Sequence, residues 1–534
     1  MATSNVTEHL RRQALRRADR EALVDGDRRW TYAELDADVD RHAAALRDGG
    51  IAAGELVGVL GRNTGTYVVE LLALARLGAI SVPLNWRLHP NEQAYVIDQA
   101  GITGLLYDDD FADDAARLVA ATGVRTVVAN GDRVVAGAGR LAALLDGQPS
   151  GVRVADAEKG PDDVHRLLYT SGTTARPKGV VHTYGNLTAN HLAQVLELEL
   201  TAADRILVSA PLFHVSGLEA PGLAIFVAGA TMVLTPTFKA ADIARIAAEE
   251  RITGMVLAAQ ILFGLLDLDP PPDLGTLRYL LFAGVAPSVR QEVKRRLPHV
   301  RLVDTFGMTE LCNGICYLDA AHEQSKLGAL GAPFPGVHVR IVDEHFRPVP
   351  PGEAGEIVVR GEKVSPGYWR DDEANRRTRR DGWFLTGDVG RIDADGYLWF
   401  VDRRTDLIKS GGENIASAEI ERVIARHPDV AEVAVVGVPD PTWDEVPKAY
   451  VILRDGATVT AEGLREHCRA ELARYKVPKY VQIVSSLPRN DSGKVLKRSL
   501  RDAPPAAPGP ADASTGSPAG SPGAADAPAP AVAG

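Results

Sequence analysis

The stretch YTSGTTARPKGV, from Tyr169 to Val180, gathers hydroxyls and small residues and ends on a lysine fixed between proline and glycine. Ser171, Thr173 and Thr174 offer hydroxyls, Gly172 and Gly179 allow close approach of a backbone, and Lys178 adds a compact positive charge. Together these groups suit a phosphate. The spacing is not that of a Walker A loop, in which the lysine follows a glycine and precedes Ser or Thr, because Lys178 stands between Pro177 and Gly179. By itself the stretch is equally an ordinary polar loop between two strands.

Five further stretches set glycine, acid or base just after a predicted strand: FAGVAPS (Phe282 to Ser288), DTFGMTE (Asp304 to Glu310), WFLTGD (Trp383 to Asp388), DRRTDLIKSGGENI (Asp402 to Ile415) and LPRNDSGK (Leu487 to Lys494). Taken singly, each acid reads as a turn or cap residue. The elements that must position them follow from periodicity. ELVGVLG, GTYVVELLALARLG and AISVPLN read as a βαβ unit. Similar runs recur through RLVDTFG, which predicts doubly wound α/β layers over the first 300 or so residues. After Gly336 short strands without long helices predict a small β unit, and beyond Asp402 a compact α/β mixture returns. The organisation expected is an α/β N-terminal domain over 1–402 and a small α+β C-terminal domain over 403–503. An Ala/Pro/Gly-rich tail over 504–534 has too little apolar surface to order.

The chain has 534 residues, enough for three to four domain-sized units, and its 45% hydrophobic and 24% charged content is that of a globular protein. A net charge of −11 argues against a general nucleic-acid or anionic-membrane binder. The three cysteines, Cys312, Cys316 and Cys468, exclude a disulfide framework and read as free thiols. The opening HLRRQALRRADREALV reads as a solvated amphipathic helix, and APGLAIFVAGATMVL as helix, turn and buried strand, too short and too broken to span a membrane. A cytoplasmic protein without a transmembrane segment is expected.

The six stretches occur in the order found in the adenylate-forming enzymes, and from Trp30 to about Arg501 the chain resembles that superfamily: acyl-CoA synthetases, firefly luciferases and peptide-synthetase adenylation domains. The resemblance implies attack of a carboxylate on the α-phosphate of ATP, release of pyrophosphate, and transfer of the acyl group from AMP to a thiol. Both steps bring anions together, so catalysis rests on charge neutralisation and positioning. The resemblance assigns Thr170, Ser171, Gly172, Thr173 and Thr174, with Lys178, to the phosphates, and Thr173 and Glu310 to Mg²⁺, a hard cation that prefers oxygen. Adenine would lie between the Val285-Ala286-Pro287 backbone and Phe306, with Asp304 accepting from its amine and Thr305, Gly307, Met308 and Thr309 completing the strand end. Asp388 would accept from the ribose hydroxyls and Arg403 donate to ribose or phosphate. Lys494 would bridge the substrate carboxylate and the α-phosphate from the small domain, whose rotation would pivot at Thr405. The family usually has Asp or Lys at that pivot, and Gly where Ala175 stands.

Within the superfamily, PLFHVSGLEAPG matches the segment lining the acid pocket in acyl-CoA synthetases. His214 would gate or orient the acid, and Val215, Gly217, Leu218, Gly284, Met308 and Leu311 would form an apolar tunnel with no charge placed to meet an amino group. A fatty acid is the first expectation and an aryl acid the second. Gly411, Gly412 and Glu413 would form a pantetheine passage, open either to free CoA or to the phosphopantetheine arm of an acyl carrier protein. Arg474, Lys476 and Lys479 could meet the phosphates of CoA. Outside the family, GAGRLA (Gly137 to Ala142) is a weak dinucleotide fingerprint with a short helix. A light-emitting oxygenase of the same fold is the other rival.

Overall fold

Short β-branched runs become central strands. Leu56–Leu60 and Ile80–Pro83 pair in parallel across the helix Gly65–Leu77, the βαβ unit expected. Thr64 starts that helix by accepting from the Tyr67 N–H, and Gly78 ends it at φ 72°, a left-handed conformation that costs glycine little. In the computed structural model residues 5–170, 176–235, 237–257, 259–282, 287–410, 413–489 and 495–501 are described.

These residues form four sheets. In the first, the strands run in the order Gly139–Arg140, Thr126–Ala129, Gly104–Tyr107, Leu56–Leu60, Ile80–Pro83, Val164–Thr170 and Lys178–Thr183, all parallel but for the last pair. The second sheet has a parallel centre, from Glu21–Asp25 through Thr231–Leu234, Arg205–Val208, Gly254–Val256 and Tyr279–Phe282 to Arg301–Met308. Antiparallel strands close it at both ends. The third is antiparallel, built on Val337–Val342, Gly355–Gly361, Trp383–Ile392 and Leu398–Arg403. In the fourth, Val430–Asp440 and Asp444–Leu453 form a long antiparallel pair, packed against the helices Ser417–Ile424 and Ala461–Glu471. The segment Ala220 to Leu234 forms the expected helix, turn and buried strand, with Gly229 as the turn.

Two sequence expectations change. The opening helix is Val6–Arg16 only; Glu21–Asp25 is a strand beside Thr231–Leu234, because its apolar residues Ala22, Leu23 and Val24 are fully buried there. That helix is also more than a solvated surface. It buries Val6 and Leu10, and Arg11 enters an ion web in which the fully buried Arg76 contacts Asp36 at 2.7 Å, Asp40 at 2.8 Å and Asp156 at 3.2 Å. Arg11 adds contacts to Asp40 at 2.8 Å and Asp156 at 3.2 Å, and Arg153 adds contacts to Asp36 at 2.7 Å and Asp40 at 3.0 Å. The GAGRLA segment makes a two-residue edge strand and the short helix Leu141–Asp146, not a strand leading into a long helix, so the dinucleotide reading loses its context. No helix among the described residues is long and apolar enough to cross a membrane.

Candidate active site

Thr170 pairs with Lys178 at the antiparallel edge of the first sheet. Ser171, Gly172, Thr173, Thr174 and Ala175 lie outside the described residues. Lys178 is described: its ammonium stands 5.3 Å from the centroid of the Tyr368 ring. The Tyr368 hydroxyl donates to Glu310 Oε1 at 2.8 Å, so the two expected residues Lys178 and Glu310 meet around a third that the motifs did not reveal. Burial raises the phenol's pKa, and the Glu310 carboxylate raises it further. Backbone bonds fix the arrangement, from Val181 N to Gly367 O at 2.9 Å, Trp369 N to Gly179 O at 2.7 Å and Ser365 N to Glu310 O at 2.8 Å.

Glu310 lies in the single turn Thr309–Leu311 that ends the strand Arg301–Met308. His182, on Lys178–Thr183, donates from Nε2 to Thr309 O at 2.8 Å and ties that turn to the phosphate hairpin. Burial first, and then the Arg166 guanidinium, push the His182 pKa down to about 4, so the ring is neutral near pH 7. Along the same strand Asp304 accepts from Arg290 at 2.9 Å and from the Thr305 N–H at 3.0 Å. Arg290 comes from the helix Pro287–Arg296, directly after the expected adenine backbone. Phe306 is 7% exposed, and Gly307 has no room for a side chain because an added Cβ would stand 2.3 Å from Asn313 O on the antiparallel neighbour. Gly284, Val285 and Ala286 lie outside the described residues, and Pro287 opens the following helix.

Asp388 and Arg403 are register partners in the third sheet, with Arg403 Nε 3.7 Å from Asp388 Oδ1. The carboxylate and the guanidinium expected at the ribose are therefore adjacent although 15 positions separate them in the chain.

His214 caps the helix Val215–Glu219: its Nδ1 accepts from the Ser216 N–H at 3.3 Å and lies 2.9 Å from Ser216 Oγ. Val215, Leu218 and Leu311 are buried in one core cluster, with Met308 packed against it. Gly217 must be glycine, since a Cβ would stand 2.3 Å from Pro211 O. The last residue of that helix, Glu219, is fully buried and meets Arg166 at 3.0 Å, His191 at 3.0 Å and Asn190 at 2.8 Å. Burial would raise its pKa; Arg166 and His191 overcome this and hold it at about 2. Lys363, buried on the Phe334 ring, donates to Asn190 Oδ1 at 2.8 Å and to Gly314 O, and its burial lowers its pKa to about 8. This polar web joins the helix Val215–Glu219, the strand leading to Thr170, and the strand after Glu310. Its one sequence signal is a charged residue, Arg166, inside the apolar run VHRLLY.

In the fourth sheet, Glu413 opens the strand Glu413–Ile415, while Gly411, Gly412 and Lys494 lie outside the described residues. Thr405 lies between Arg403, which ends the third sheet, and Asp406, which pairs with Arg501 of the last helix at 2.6 Å. Of the three basic residues expected to meet CoA, Lys476 contacts Glu419 at 2.8 Å and Lys479 pairs with Asp440, while Arg474 is exposed. Two of the three must exchange a carboxylate to take a phosphate. The cysteines are free and buried, and burial pushes Cys316 up to about 12 and Cys468 up to about 11. No cluster of three or more His, Cys, Asp or Glu suited to a metal occurs among the described residues. Glu310 alone still fits Mg²⁺, which commonly takes one or two carboxylates and completes its shell with water and substrate phosphates.

The comparisons agree with this architecture. Residues 10–369 match the family of AMP-binding enzymes and residues 419–494 the AMP-binding enzyme C-terminal domain. The chain belongs to this family. It is similar to a feruloyl-CoA synthase of an Amycolatopsis species, 40% identical over 484 residues that cover 90% of this chain and 95% of the relative. It is also similar to an indoleacetate–CoA ligase of Aromatoleum aromaticum, 38% identical over 93% of this chain and 97% of the relative. Among solved structures, an anthranilate CoA ligase in complex with anthranoyl-AMP superposes with a TM-score of 0.86 at 27% identity, over 94% of this chain and 97% of that one. The protein is an ATP-dependent, AMP-forming acid–thiol ligase.

Proposed function

We propose that the acid is aromatic and that the final acceptor is CoA. The observation that carries this is the 40% identity, across 90% of the chain, to a relative named for a phenylpropenoic acid. It reverses the order of the sequence expectation, in which a fatty acid came first. The buried walls Val215, Leu218 and Leu311 support an apolar acid of either kind, and the relatives tip the choice towards a flat one.

In the first step the acid's carboxylate oxygen bonds to the α-phosphorus of ATP and the bond to pyrophosphate breaks. Lys178 neutralises the departing phosphates, Lys494 shields the carboxylate from the α-phosphate, and Asp388 with Arg403 holds the ribose. His214 orients the acid at the mouth of the pocket. Glu310, with Thr173, would hold Mg²⁺, which when bound offsets phosphate charge. In the second step the thiolate of CoA bonds to the acyl carbon and AMP leaves, with Gly411, Gly412 and Glu413 lining the thiol's passage. Asp304, held by Arg290, keeps a fixed acceptor for the adenine amine.

The test is ATP–pyrophosphate exchange with hydroxycinnamic, arylacetic, benzoic and straight-chain fatty acids, followed by thioester formation with CoA or a holo carrier protein. Exchange driven best by an aromatic acid, with CoA preferred, is the expected result. Best exchange with a fatty acid overturns the substrate assignment, and a preference of about tenfold, or ~1.4 kcal/mol, for the carrier overturns the acceptor.

A further inference from the structure

We propose that Tyr368 is a positioning residue of the adenylation step, orienting the Glu310 carboxylate through its hydroxyl and steadying Lys178 through its ring. The proposal rests on Glu310 being the carboxylate for the divalent cation.

The position of Tyr368 is fixed before its side chain makes any contact. Its N–H donates to Asn375 Oδ1 at 2.7 Å and its carbonyl accepts from Asn375 Nδ2 at 3.0 Å, so one amide side chain holds both backbone groups. Asn375 rides on the helix Asp372–Thr378, whose start Asp371 caps by accepting from Ala374 N at 2.9 Å. On one side of Tyr368, Gly367 comes so close to Asn375 that an added Cβ would lie 2.4 Å from Oδ1. On the other, Trp369 donates from its indole to Ala100 O at 3.0 Å, and its own carbonyl accepts from Gln99 at 2.9 Å. Residues 367–369 are thus laid along the strand Lys178–Thr183 and anchored from both sides.

From that anchor the phenol reaches Glu310 Oε1 at 2.8 Å, leaving Oε2 unengaged by the phenol. A carboxylate on a single turn has rotamer freedom; a donor on a fixed backbone removes it, and pre-orientation of this kind lowers the cost of binding. The same ring faces the Lys178 ammonium at 5.3 Å, so the cation that neutralises phosphate and the carboxylate that takes the metal are spaced by one side chain. Neither contact is local in sequence. Tyr368 is 58 residues from Glu310 and reaches it from a segment bridged to Val180 of the first sheet.

Two variants separate the functions. Tyr368→Phe keeps the ring and removes the hydroxyl; Tyr368→Leu removes both. For Tyr368→Phe, the Mg²⁺ concentration giving half-maximal ATP–pyrophosphate exchange should rise roughly tenfold, the scale of one hydrogen bond to a charged group. Binding of Mn²⁺ in the presence of a non-hydrolysable ATP analogue, read by paramagnetic resonance, should weaken by a similar factor. Thioester formation from supplied acyl-adenylate and the melting temperature should stay unchanged. Tyr368→Leu should in addition lower the exchange rate at saturating Mg²⁺. Wild-type metal dependence of Tyr368→Phe in both assays overturns the proposal. Glu310→Gln is the control: if it alters metal dependence and Tyr368→Phe does not, only the role of Tyr368 falls. If Glu310→Gln alters nothing, the metal assignment itself falls, and this proposal with it.

Discussion

Ser417 Oγ donates to Asp402 Oδ2 at 2.8 Å, and the two residues stand on opposite sides of Thr405. Asp402 also accepts from the Ala418 N–H at 3.3 Å, so it serves the start of the helix Ser417–Ile424 although it belongs to the preceding sheet. Lys497 completes the group, donating to Ser417 Oγ at 2.6 Å and pairing with Glu421 at 2.8 Å. We propose that the small domain rotates about Thr405; such a rotation would break the Asp402 contact, which would then belong to one orientation only. Ser417→Ala should change the ratio of adenylation to thioester-formation rates by roughly tenfold or more, the value of one charge-assisted bond. Stopped-flow measurement of each half-reaction checks this, and an equal change in both counts against a latch.

Lys494 is expected to act only in the first step. Lys494→Ala should lower adenylate formation by about 10²- to 10³-fold or more while sparing thioester formation from supplied acyl-adenylate. Parallel loss of both half-reactions would show that the lysine serves the fold or both docking states.

Acid should weaken the protein before its carboxylates titrate. His182 donates from Nε2 to a carbonyl, which can only accept, and its buried Nδ1 has no hydrogen-bond partner among the described residues. Its folded pKa of about 4 lies below the 6.5 of the unfolded chain, so the unfolded state takes up the proton first as pH falls. The stability present above about pH 6.5 is then lost progressively towards pH 4, by on the order of 1–3 kcal/mol for this group. His9, also lowered to about 4 by burial and by His191, acts in the same window and direction. Urea unfolding from about pH 7 to about pH 5 should show the decline, and His182→Gln, which keeps a donor for Thr309, should flatten it. An unchanged slope in that variant rules out His182 as the titrating group.

Deleting residues 504–534 should leave both melting temperature and kcat unchanged, because a stretch almost wholly of Ala, Pro, Gly, Ser and Asp has little apolar surface to contribute. A fall in either measure would assign the tail a role that its composition does not suggest.

The parts of the fold legible in the sequence are those written in local periodicity: the βαβ unit at Leu56 to Pro83, and the helix, turn and strand from Ala220 to Leu234. Of the acids expected just after strands, Glu310 does follow one, whereas Asp304 lies within Arg301–Met308 and Asp388 within Trp383–Ile392, because the apolar runs continue through their glycines as strand. Tyr368 was not legible, because its meaning depends on a partner 58 residues away. Arg290 looks like any helix arginine until the register of the next strand puts Asp304 beside it. The opening segment misled for a related reason. Charge at Arg11 and Arg12 suggested solvent, yet Arg11 is answered by carboxylates on a later helix and loop that no local pattern announces. Acid identity was illegible on other grounds, because Val215, Leu218 and Leu311 present the same methyl groups to a chain or to a ring.

The ion web under the first helix means that the edge of detectable family likeness is not an edge of the folded unit. The family match begins at residue 10, midway along the helix Val6–Arg16. Within the web, the guanidiniums of Arg11, Arg76 and Arg153 balance the carboxylates of Asp36, Asp40 and Asp156 one for one among the described residues. A chain trimmed at the match boundary keeps Arg11 but loses Asn5, whose side chain donates to Ala75 O at 2.8 Å, and Thr7, whose hydroxyl bonds Asp156. A chain trimmed past the helix leaves three carboxylates facing two cations, with Asp36 and Asp40 buried beside Arg76, and a buried charge left without its partner is costly. Anyone grafting this catalytic unit onto another protein should therefore count its beginning from Asn5, whose hydrogen bond anchors the helix that carries Arg11, several residues ahead of where the resemblance starts.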